Sequence, residues 1–269
     1  MRFYQAAILG AIQGLTEFLP VSSTAHLIAV PRLLGWKRPG LSFDTSLHLG
    51  TLLAAGIYLR KDLRNVLASL RGAPGQNEAW QLLWGNIPAG LAGLLLDKPV
   101  EKHLRSPAYM SAGMVLGALL MAWADQQADT SENRDVQHGA RFFGPHFFLA
   151  ASQALALFPG MSRSGMTMAT GLATGLSRTE AARQSFLAGF PMIAAAGLFK
   201  LKDLFKEPPS QREMALLATA LATATVSGYL SLRLLFTFLE RHSLQPFVWY
   251  RLGLALYLWA QKNQPEASD

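Results

Sequence analysis

Long uncharged runs alternate with short polar segments along this chain. Four runs of 18 to 21 residues contain no Asp, Glu, Lys or Arg: 79–96, 106–124, 142–162 and 214–232. A helix that crosses the hydrocarbon core of a bilayer needs about 20 such residues. The pattern therefore predicts an all-α integral membrane protein with several transmembrane helices.

In two regions, one of which includes the run 142–162, the pattern predicts helices that are interrupted inside the membrane. The uncharged runs are 3–16 and 18–31 in the first region, and 142–162 and 164–177 in the second. Fourteen helical residues reach only about 21 Å, short of the roughly 30 Å core. Glu17 separates the first two runs, with the helix breaker Pro20 just after it, and Arg163 separates the second two. Breaks at membrane depth are tolerated where they line a polar cavity, so we expect a helix, a break and a second helix in each region, with the two breaks meeting at a polar site.

The two halves of the chain resemble each other. "AAGIYLRKDL" (54–63) matches "AAGLFKLKDL" (195–204) at six of ten positions, with an offset of 141. Pro20-x-x-Ser23 matches Pro159-x-x-Ser162 with an offset of 139. Chance similarity between helices rich in Ala, Gly and Leu is the alternative, but matched order and spacing favour an internal repeat.

The domain prediction follows from this repeat and from one polar segment. We predict a single polytopic domain, 1–269, built from two repeats. The parts are repeat 1 at about 1–125, a polar loop at 126–140 and repeat 2 at about 141–269.

Composition supports a membrane protein and excludes several classes of site. Only 15% of residues are charged, against roughly 25% in soluble proteins. The net charge of +7 suggests contact with anionic lipid and not with nucleic acid. The chain has no cysteine, so it has no disulfide framework, thiolate nucleophile or cysteine metal site.

The first motif is "QGLTEFLPVSSTAH", residues 13–26. Serines after Pro20 are natural N-caps for a helix that resumes. His26 lies three residues after Ser23, so an imidazole and a hydroxyl can share one helical face. Glu17 is costly in hydrocarbon, which marks it as a functional candidate. These groups suit the handling of a metal-bound phosphate.

The second motif is "FPGMSRSGMT", residues 158–167. Gly160 and Gly165 allow close backbone approach, and Arg163 offers a fork of donors that fits phosphate oxygens. A helix N-terminus after such a turn binds anions. If the two motifs meet, a carboxylate–hydroxyl–imidazole cluster faces an arginine anion site, a combination suited to phosphoryl transfer.

These motifs supply the candidate site residues. Predicted catalytic residues are Glu17, Ser23, His26 and Arg163; predicted substrate-binding residues are Gln13, Ser22, Gly160, Ser162, Ser164, Gly165 and Thr167. Glu17 is also the predicted ligand of a divalent cation, Mg²⁺ or Ca²⁺.

Structural alternatives remain for these residues. Glu17 can be a buried acid paired with Arg163, and His26 a packing histidine. Gln13 can be a helix-packing amide, and the Ser and Thr hydroxyls can be simple caps. His48, in "LHLGT", is expected to be structural.

Both long motifs, "ILGAIQGLTEFLPVSSTAHL" and "LFPGMSRSGMTMATGLATGLSRTEAARQSFLAGFP", resemble the undecaprenyl-diphosphate phosphatase family, also called bacitracin-resistance proteins. The resemblance implies hydrolysis of undecaprenyl diphosphate to undecaprenyl phosphate and inorganic phosphate, which recycles the lipid carrier of peptidoglycan synthesis. It implies an all-α, multi-pass protein of the bacterial inner membrane, built from two inverted-topology repeats that each contain a re-entrant helical hairpin. It also implies an active site toward the outer face. The implied partners are the polyprenyl diphosphate, the bilayer and, as an option, a second copy of the chain.

By position, Glu17 matches the acidic residue that the family associates with metal and catalysis. Ser23 and His26 match the hydroxyl and imidazole assigned to the reaction. The family's diphosphate-binding loop corresponds to Ser162, Arg163 and Thr167. Gln13 stands where many members carry Glu, which puts a two-carboxylate metal site in doubt but not the activity.

The sequence is also compatible with one other function. A transporter or flippase of a polyprenyl phosphate or another anionic lipid would also use broken helices and an arginine anion ligand. A membrane phosphatase of the acid-phosphatase class is excluded, because "SRTEAARQSF" lacks the histidine that this class requires.

Overall fold

The protein is an assembly of helices. The structure, a computed structural model, describes residues 1–37, 41–104, 106–130, 143–206 and 209–262. Within those ranges there are eleven α-helices, one 3₁₀ helix and no β-strand. The α-helices are α1 Phe3–Phe18, α2 Ser23–Leu33, α3 Leu41–Tyr58, α4 Arg60–Ser69, α5 Gln76–His103, α6 Pro107–Thr130, α7 Pro145–Ala151, α8 Arg163–Ala173, α9 Arg178–Lys206, α10 Gln211–Leu239 and α11 Gln245–Ala260; the 3₁₀ helix is Ser152–Leu157.

Two of these helices are long and apolar enough to cross a membrane. They are Pro107–Ala128 within α6 and Gln211–Leu239, which is α10; their most apolar 18-residue windows have a mean hydropathy of 1.4 and 1.5. The first covers nearly all of the predicted run 106–124, and the second contains 214–232. The run 79–96 lies inside α5, a single helix.

The other predicted elements are the interrupted helices, and both interruptions are present. Leu19 and Phe158 are extended, as expected for a residue that precedes proline. The first break separates α1 from α2. The second separates the 3₁₀ helix from α8, so the uncharged run 142–162 is not one helix. It forms α7, then the 3₁₀ turn, then the break.

The backbone of the two breaks is equivalent at one residue. Ser22 and Ser162 are the only non-glycine residues with positive φ in the described part of the chain, at 72° and 68°. Each is the N-cap of the helix that follows. Their spacing of 140 residues pairs Ser23 with Arg163. The pairing of Ser23 with Ser162, predicted from the proline spacing, is therefore wrong by one residue.

One other sequence prediction needs correction, and the similar blocks show one local difference. In 54–63 helix α3 ends at Tyr58, whereas α9 continues through 195–204 to Lys206, and the internal repeat stays a prediction. The predicted polar loop 126–140 begins too early, since α6 continues to Thr130. Residues 131–140 lie outside the described residues.

Small residues bring the helices that surround the breaks into close contact. A Cβ on Gly14 of α1 would lie 2.0 Å from Ser227 Oγ on α10, and one on Gly113 of α6 would lie 2.0 Å from the carbonyl oxygen of Pro159. Helices in lipid associate chiefly through such close packing. As a result α1 is fixed against α10, and α6 lies directly against the second break.

Candidate active site

Three side chains from the two breaks meet at one point. Ser23 Oγ donates a hydrogen bond to Glu17 Oε2 at 2.9 Å, and Arg163 Nη2 donates to Glu17 Oε1 at 2.9 Å. Glu17 is in the last turn of α1, and the other two are the first residues of α2 and α8. Only 7% of Glu17 is exposed. The ion pair considered as the structural alternative is thus present, and it joins the two motifs.

Two more polar side chains contact the same carboxylate. Gln13, fully buried one turn earlier in α1, donates from Nε2 to Glu17 Oε2 at 3.0 Å. His48 of α3 lies with its Nε2 3.6 Å from the same oxygen. Glu17 is therefore the hub of a network that includes three helices besides its own.

Arg163 fits because α9 has no side chain at the facing position. A Cβ on Gly189 would lie 1.7 Å from Arg163 Nη1. This Nη1 is buried and has no hydrogen-bond partner, whereas Nη2 is bonded to Glu17. The guanidinium is therefore held between Glu17 and α9, with one of its donor nitrogens unused.

The serines of the second motif shape the start of α8. Ser162 Oγ accepts a hydrogen bond from the N–H of Gly165 at 3.2 Å and lies 3.3 Å from Ser164 Oγ. Ser164 Oγ in turn donates to the carbonyl oxygen of Leu19 at 3.3 Å. One hydroxyl caps the helix, and the next ties the second motif to the first break.

A cavity of about 340 Å³ opens on this cluster. Its polar lining comes from both breaks and α3: Thr16, Glu17, Ser22, Ser23, Thr24, His48, Gly160, Ser162, Arg163 and Ser164. Its apolar lining includes Ile28, Val100, Met110, Leu157, Met192 and Ile193. One cavity therefore presents a polar wall beside an apolar wall.

Four predicted residues are not part of the cavity lining. Gln13 lies behind Glu17, to which its Nε2 donates. The N–H of Gly165 is used by the cap. Thr167 is fully buried, and its hydroxyl bonds the carbonyl of Arg163 at 2.8 Å and Ser185 Oγ at 2.5 Å.

His26, the fourth, faces away from the cavity. Its Nδ1 lies 2.8 Å from the carbonyl oxygen of Ser22, and its Nε2 lies 2.7 Å from the hydroxyl of Tyr250 on α11. A carbonyl only accepts, so the proton is on Nδ1 and the tyrosine hydroxyl donates to Nε2. The role of His26 in the reaction stays a prediction, and in this structure its contacts hold the strained Ser22 cap.

Sequence reasoning missed three residues around the site. The imidazole that does line the cavity belongs to His48, which we expected to be structural. Gly189, which makes room for Arg163, and Arg251 of α11 were not singled out. For Arg251 a signal existed, since it is the single charged residue between Arg241 and Lys262, and a charge inside an apolar segment points to function.

A divalent cation fits the oxygen groups near Glu17. No group of three or more His, Cys, Asp or Glu residues occurs among the described residues, so a transition-metal cluster is not formed there. However, the buried Oε1 of Gln13 has no hydrogen-bond partner. An amide oxygen and a carboxylate are the hard ligands that Mg²⁺ and Ca²⁺ prefer, with phosphate oxygens completing the shell.

Comparison with known proteins agrees with this geometry. The profile of the bacitracin resistance protein BacA family matches residues 6–257. The chain belongs to this family. Among BacA relatives, a protein named undecaprenyl-diphosphatase from Geobacter sulfurreducens is 40% identical over 97% of this chain and 100% of its own. Proteins with the same name from Hahella chejuensis and Moorella thermoacetica are each 41% identical, over 96% and 97% of this chain and 98% of their own.

Proposed function

We propose that this protein is an undecaprenyl-diphosphatase, which converts undecaprenyl diphosphate to undecaprenyl phosphate and inorganic phosphate. The observation that carries the proposal is the meeting of Glu17, Ser23 and Arg163 at one cavity with a polar and an apolar wall. The family and the names of its relatives support the same activity. The reaction would recycle the lipid carrier for peptidoglycan synthesis and give resistance to bacitracin.

The size and lining of the cavity suit the head of a long amphiphile. About 340 Å³ is at the low end of the volumes of small-ligand pockets. It accommodates the diphosphate against the polar wall and the first part of the prenyl chain against Ile28, Met110 and Met192. The rest of the chain would lie in the bilayer.

The reaction that this arrangement supports best begins with Ser23. Its Oγ gives its proton to Glu17 Oε2, along the 2.9 Å hydrogen bond, and attacks the terminal phosphorus. The bond from that phosphorus to the bridging oxygen breaks, which releases undecaprenyl phosphate and leaves a phosphoserine. Water then hydrolyses the phosphoserine to inorganic phosphate, with Glu17 returning the proton to Ser23.

Arg163 stabilises the charge that moves in this step. Arg163 lines the cavity, and its guanidinium binds a phosphate oxygen while Nη2 stays bonded to Glu17. Preorganised donors of this kind supply much of the transition-state stabilisation in polar sites. Ser162 and Ser164, at the N-terminus of α8, add hydroxyls and a helix end that favours anions.

Glu17, with the amide oxygen of Gln13, is the proposed holder of Mg²⁺ or Ca²⁺. A bound divalent cation would offset phosphate charge and polarise the phosphoryl oxygens.

The proposed architecture is two inverted repeats, each with a re-entrant hairpin that ends at its break. Support comes from the equivalent serine caps, Ser22 and Ser162, and from the short helices α2 and α8, each of eleven residues. We place the protein in the inner membrane as a multi-pass enzyme with the site toward the outer face, where the spent carrier is produced. Association with a second copy is part of the proposal.

The test is phosphate release from undecaprenyl diphosphate by the purified protein in detergent, with Mg²⁺, Ca²⁺ or EDTA. We expect release that EDTA abolishes, and a fall of about 10³-fold or more for Ser23→Ala, since its nucleophile is lost. Thr219→Ala is the control, because that exposed hydroxyl bonds only a carbonyl of its own helix.

Trapping and transport assays separate the remaining outcomes. A phosphate on Ser23 after rapid quenching supports covalent attack, whereas a fully active Ser23→Ala protein overturns it. A folded protein that releases no phosphate with either metal contradicts the proposed activity. Movement of the lipid between leaflets of a vesicle by such a protein would favour the transporter.

A further inference from the structure

Arg251 is the most deeply buried charge in the described part of the chain. It lies in α11, is 0% exposed, and is not part of the cavity lining. Its guanidinium donates only to backbone carbonyl oxygens: Pro20 at 3.3 Å, Met114 at 3.3 Å, Gly160 at 3.0 Å and Met161 at 2.9 Å. These carbonyls belong to the first break, to α6 and, for the last two, to the second break.

This arrangement is costly in free energy. Among the described residues no carboxylate pairs with Arg251, and its Nε has no hydrogen-bond partner. An uncompensated charge out of water is unfavourable, and an apolar side chain of similar volume would fill the space at lower cost. The surroundings are nevertheless shaped for the guanidinium, because a Cβ on Gly117 of α6 would lie 2.2 Å from its Nη2.

We propose that Arg251 is a positioning residue that locks the two helix breaks together behind the active site. It does not touch the substrate. By bonding Pro20 on one side and Gly160 and Met161 on the other, it fixes the distance between the breaks that carry Ser23 and Arg163. The breaks are also joined by Arg163 to Glu17 and by Ser164 Oγ to the carbonyl oxygen of Leu19. Arg251 adds bonds to both breaks from a side chain outside the cavity lining.

Because a peptide bond is planar, the bond from Arg251 to the carbonyl of Met161 also fixes the orientation of the next N–H, that of Ser162. The carbonyl of Met161 and the N–H of Ser162 belong to one planar trans unit and point in opposite directions. Because Arg251 holds this carbonyl at 2.9 Å, the N–H of Ser162 is directed away from Arg251. Ser162 lines the cavity, so this contact fixes the orientation of a peptide unit at the edge of the cavity.

The neighbouring residue strengthens the connection to the first break. Tyr250 bonds His26 Nε2 at 2.7 Å, and His26 Nδ1 lies 2.8 Å from the carbonyl oxygen of Ser22. Consecutive residues of α11 therefore hold the first break at Ser22 and at Pro20. Arg251 alone continues from there to the second break.

The inference rests on the proposed function for its activity assay, but its structural test does not. The chain has no cysteine, so Leu15→Cys and Leu155→Cys can carry a pair of spin labels. Both positions are exposed, at 40% and 49%, and each lies shortly before one of the breaks. Electron paramagnetic resonance then reports the distance distribution between the breaks, whatever the protein does to lipid.

Four proteins are compared on this labelled background: the parent, Arg251→Met, Arg251→Lys and the exposed-arginine control Arg233→Met. We expect Arg251→Met to broaden the distance distribution and to lower kcat/KM for phosphate release by about 100-fold. Arg251→Lys, which keeps donors, should recover at least tenfold of that loss, and Arg233→Met should match the parent. Rescue by lysine separates positioning from simple filling of space, since methionine fills the space as well.

Results that would contradict the role of Arg251 can be told apart from results that would contradict the proposed function. An unchanged distance distribution in Arg251→Met overturns the inference, and so does a lysine variant no better than methionine. If Arg251→Met does not fold, Gly117→Ala takes its place, because its Cβ displaces the guanidinium without removing it. A parent without phosphatase activity whose distribution still broadens in Arg251→Met would contradict the proposed function and leave the locking role standing.

Discussion

The two helix breaks share a backbone but not a chemistry. In each break, an extended residue precedes a proline, and a serine with positive φ caps the helix that follows. That helix has eleven residues in both cases. At the position after the cap, however, one break has Ser23 and the other Arg163. The first supplies a nucleophilic hydroxyl beside an acid, and the second supplies a cation and anion-binding hydroxyls.

The caps themselves also differ. Ser162 uses its side chain to accept from the N–H of Gly165, whereas Ser22 makes no side-chain cap. Instead the carbonyl of Ser22 accepts from His26, at a position where the second break has Met166. One strained turn can therefore present different chemical groups, because the turn sets the position of the next residue and not its type.

The largest expected effect comes from removing the cation of the second break. Arg163→Met should lower kcat by about 10³-fold, since it deletes the anion donor. It should also lower the free energy of unfolding by about 3 kcal/mol, because Glu17 is left buried without its partner. Phosphate release and thermal unfolding in detergent measure the two effects.

A second variant makes this prediction sharper. In Glu17→Gln/Arg163→Met the unpaired charge is gone, so we expect most of the stability to return while activity stays absent. If the single variant is as stable as the parent, or if the double variant is active, the buried pair does not have the role that its geometry indicates.

A smaller effect is expected from moving Arg163 without changing it. Gly189→Ala places a Cβ 1.7 Å from Arg163 Nη1, so the guanidinium must shift by an ångström or more. A misplacement of that size costs about 10²-fold in kcat/KM. Gly90→Ala is the matched control, since its Cβ would meet no atom within 4 Å. Equal activity in the two variants would mean that the position of Arg163 is not critical.

The smallest effect separates the two caps. Ser162→Ala removes the bond to the N–H of Gly165 and should cost about 1 kcal/mol of stability. Ser22→Ala removes no side-chain cap, so it should cost only a few tenths of a kcal/mol. The positive φ at the two positions is the same in the parent and in the variants, so it does not contribute to the difference. Chemical unfolding of the two variants side by side measures the difference, and equal losses would show that the caps are alike.

Much of this protein can be predicted from its sequence because the bilayer imposes strong rules. Uncharged length predicted the helices that became α6 and α10. An isolated charge between two uncharged runs predicted each break, with Pro20 as a further signal for the first. Glu17, Ser23 and Arg163 stood out because a charge or a capping hydroxyl in an apolar stretch is rarely there without a use.

Other features depended on long-range packing and could not be predicted. The register of the breaks, one residue away from the proline alignment, follows from backbone dihedral angles at Ser22 and Ser162. The direction of His26 is set by Tyr250, 224 residues away in sequence. Helical spacing shows that Ser23 and His26 can share a face, but not which neighbour the imidazole meets.

The class of protein, the two interruptions and the kinds of chemical group at each interruption can be predicted from the amino-acid sequence alone. They follow from local rules of helix formation and solvation. Tertiary structure alone decided that His48 and not His26 lines the cavity, that Gly189 makes room for Arg163, and that Arg251 joins the two breaks. Those outcomes depend on which helices lie side by side, and a contact between distant segments leaves no periodic signal in either of them.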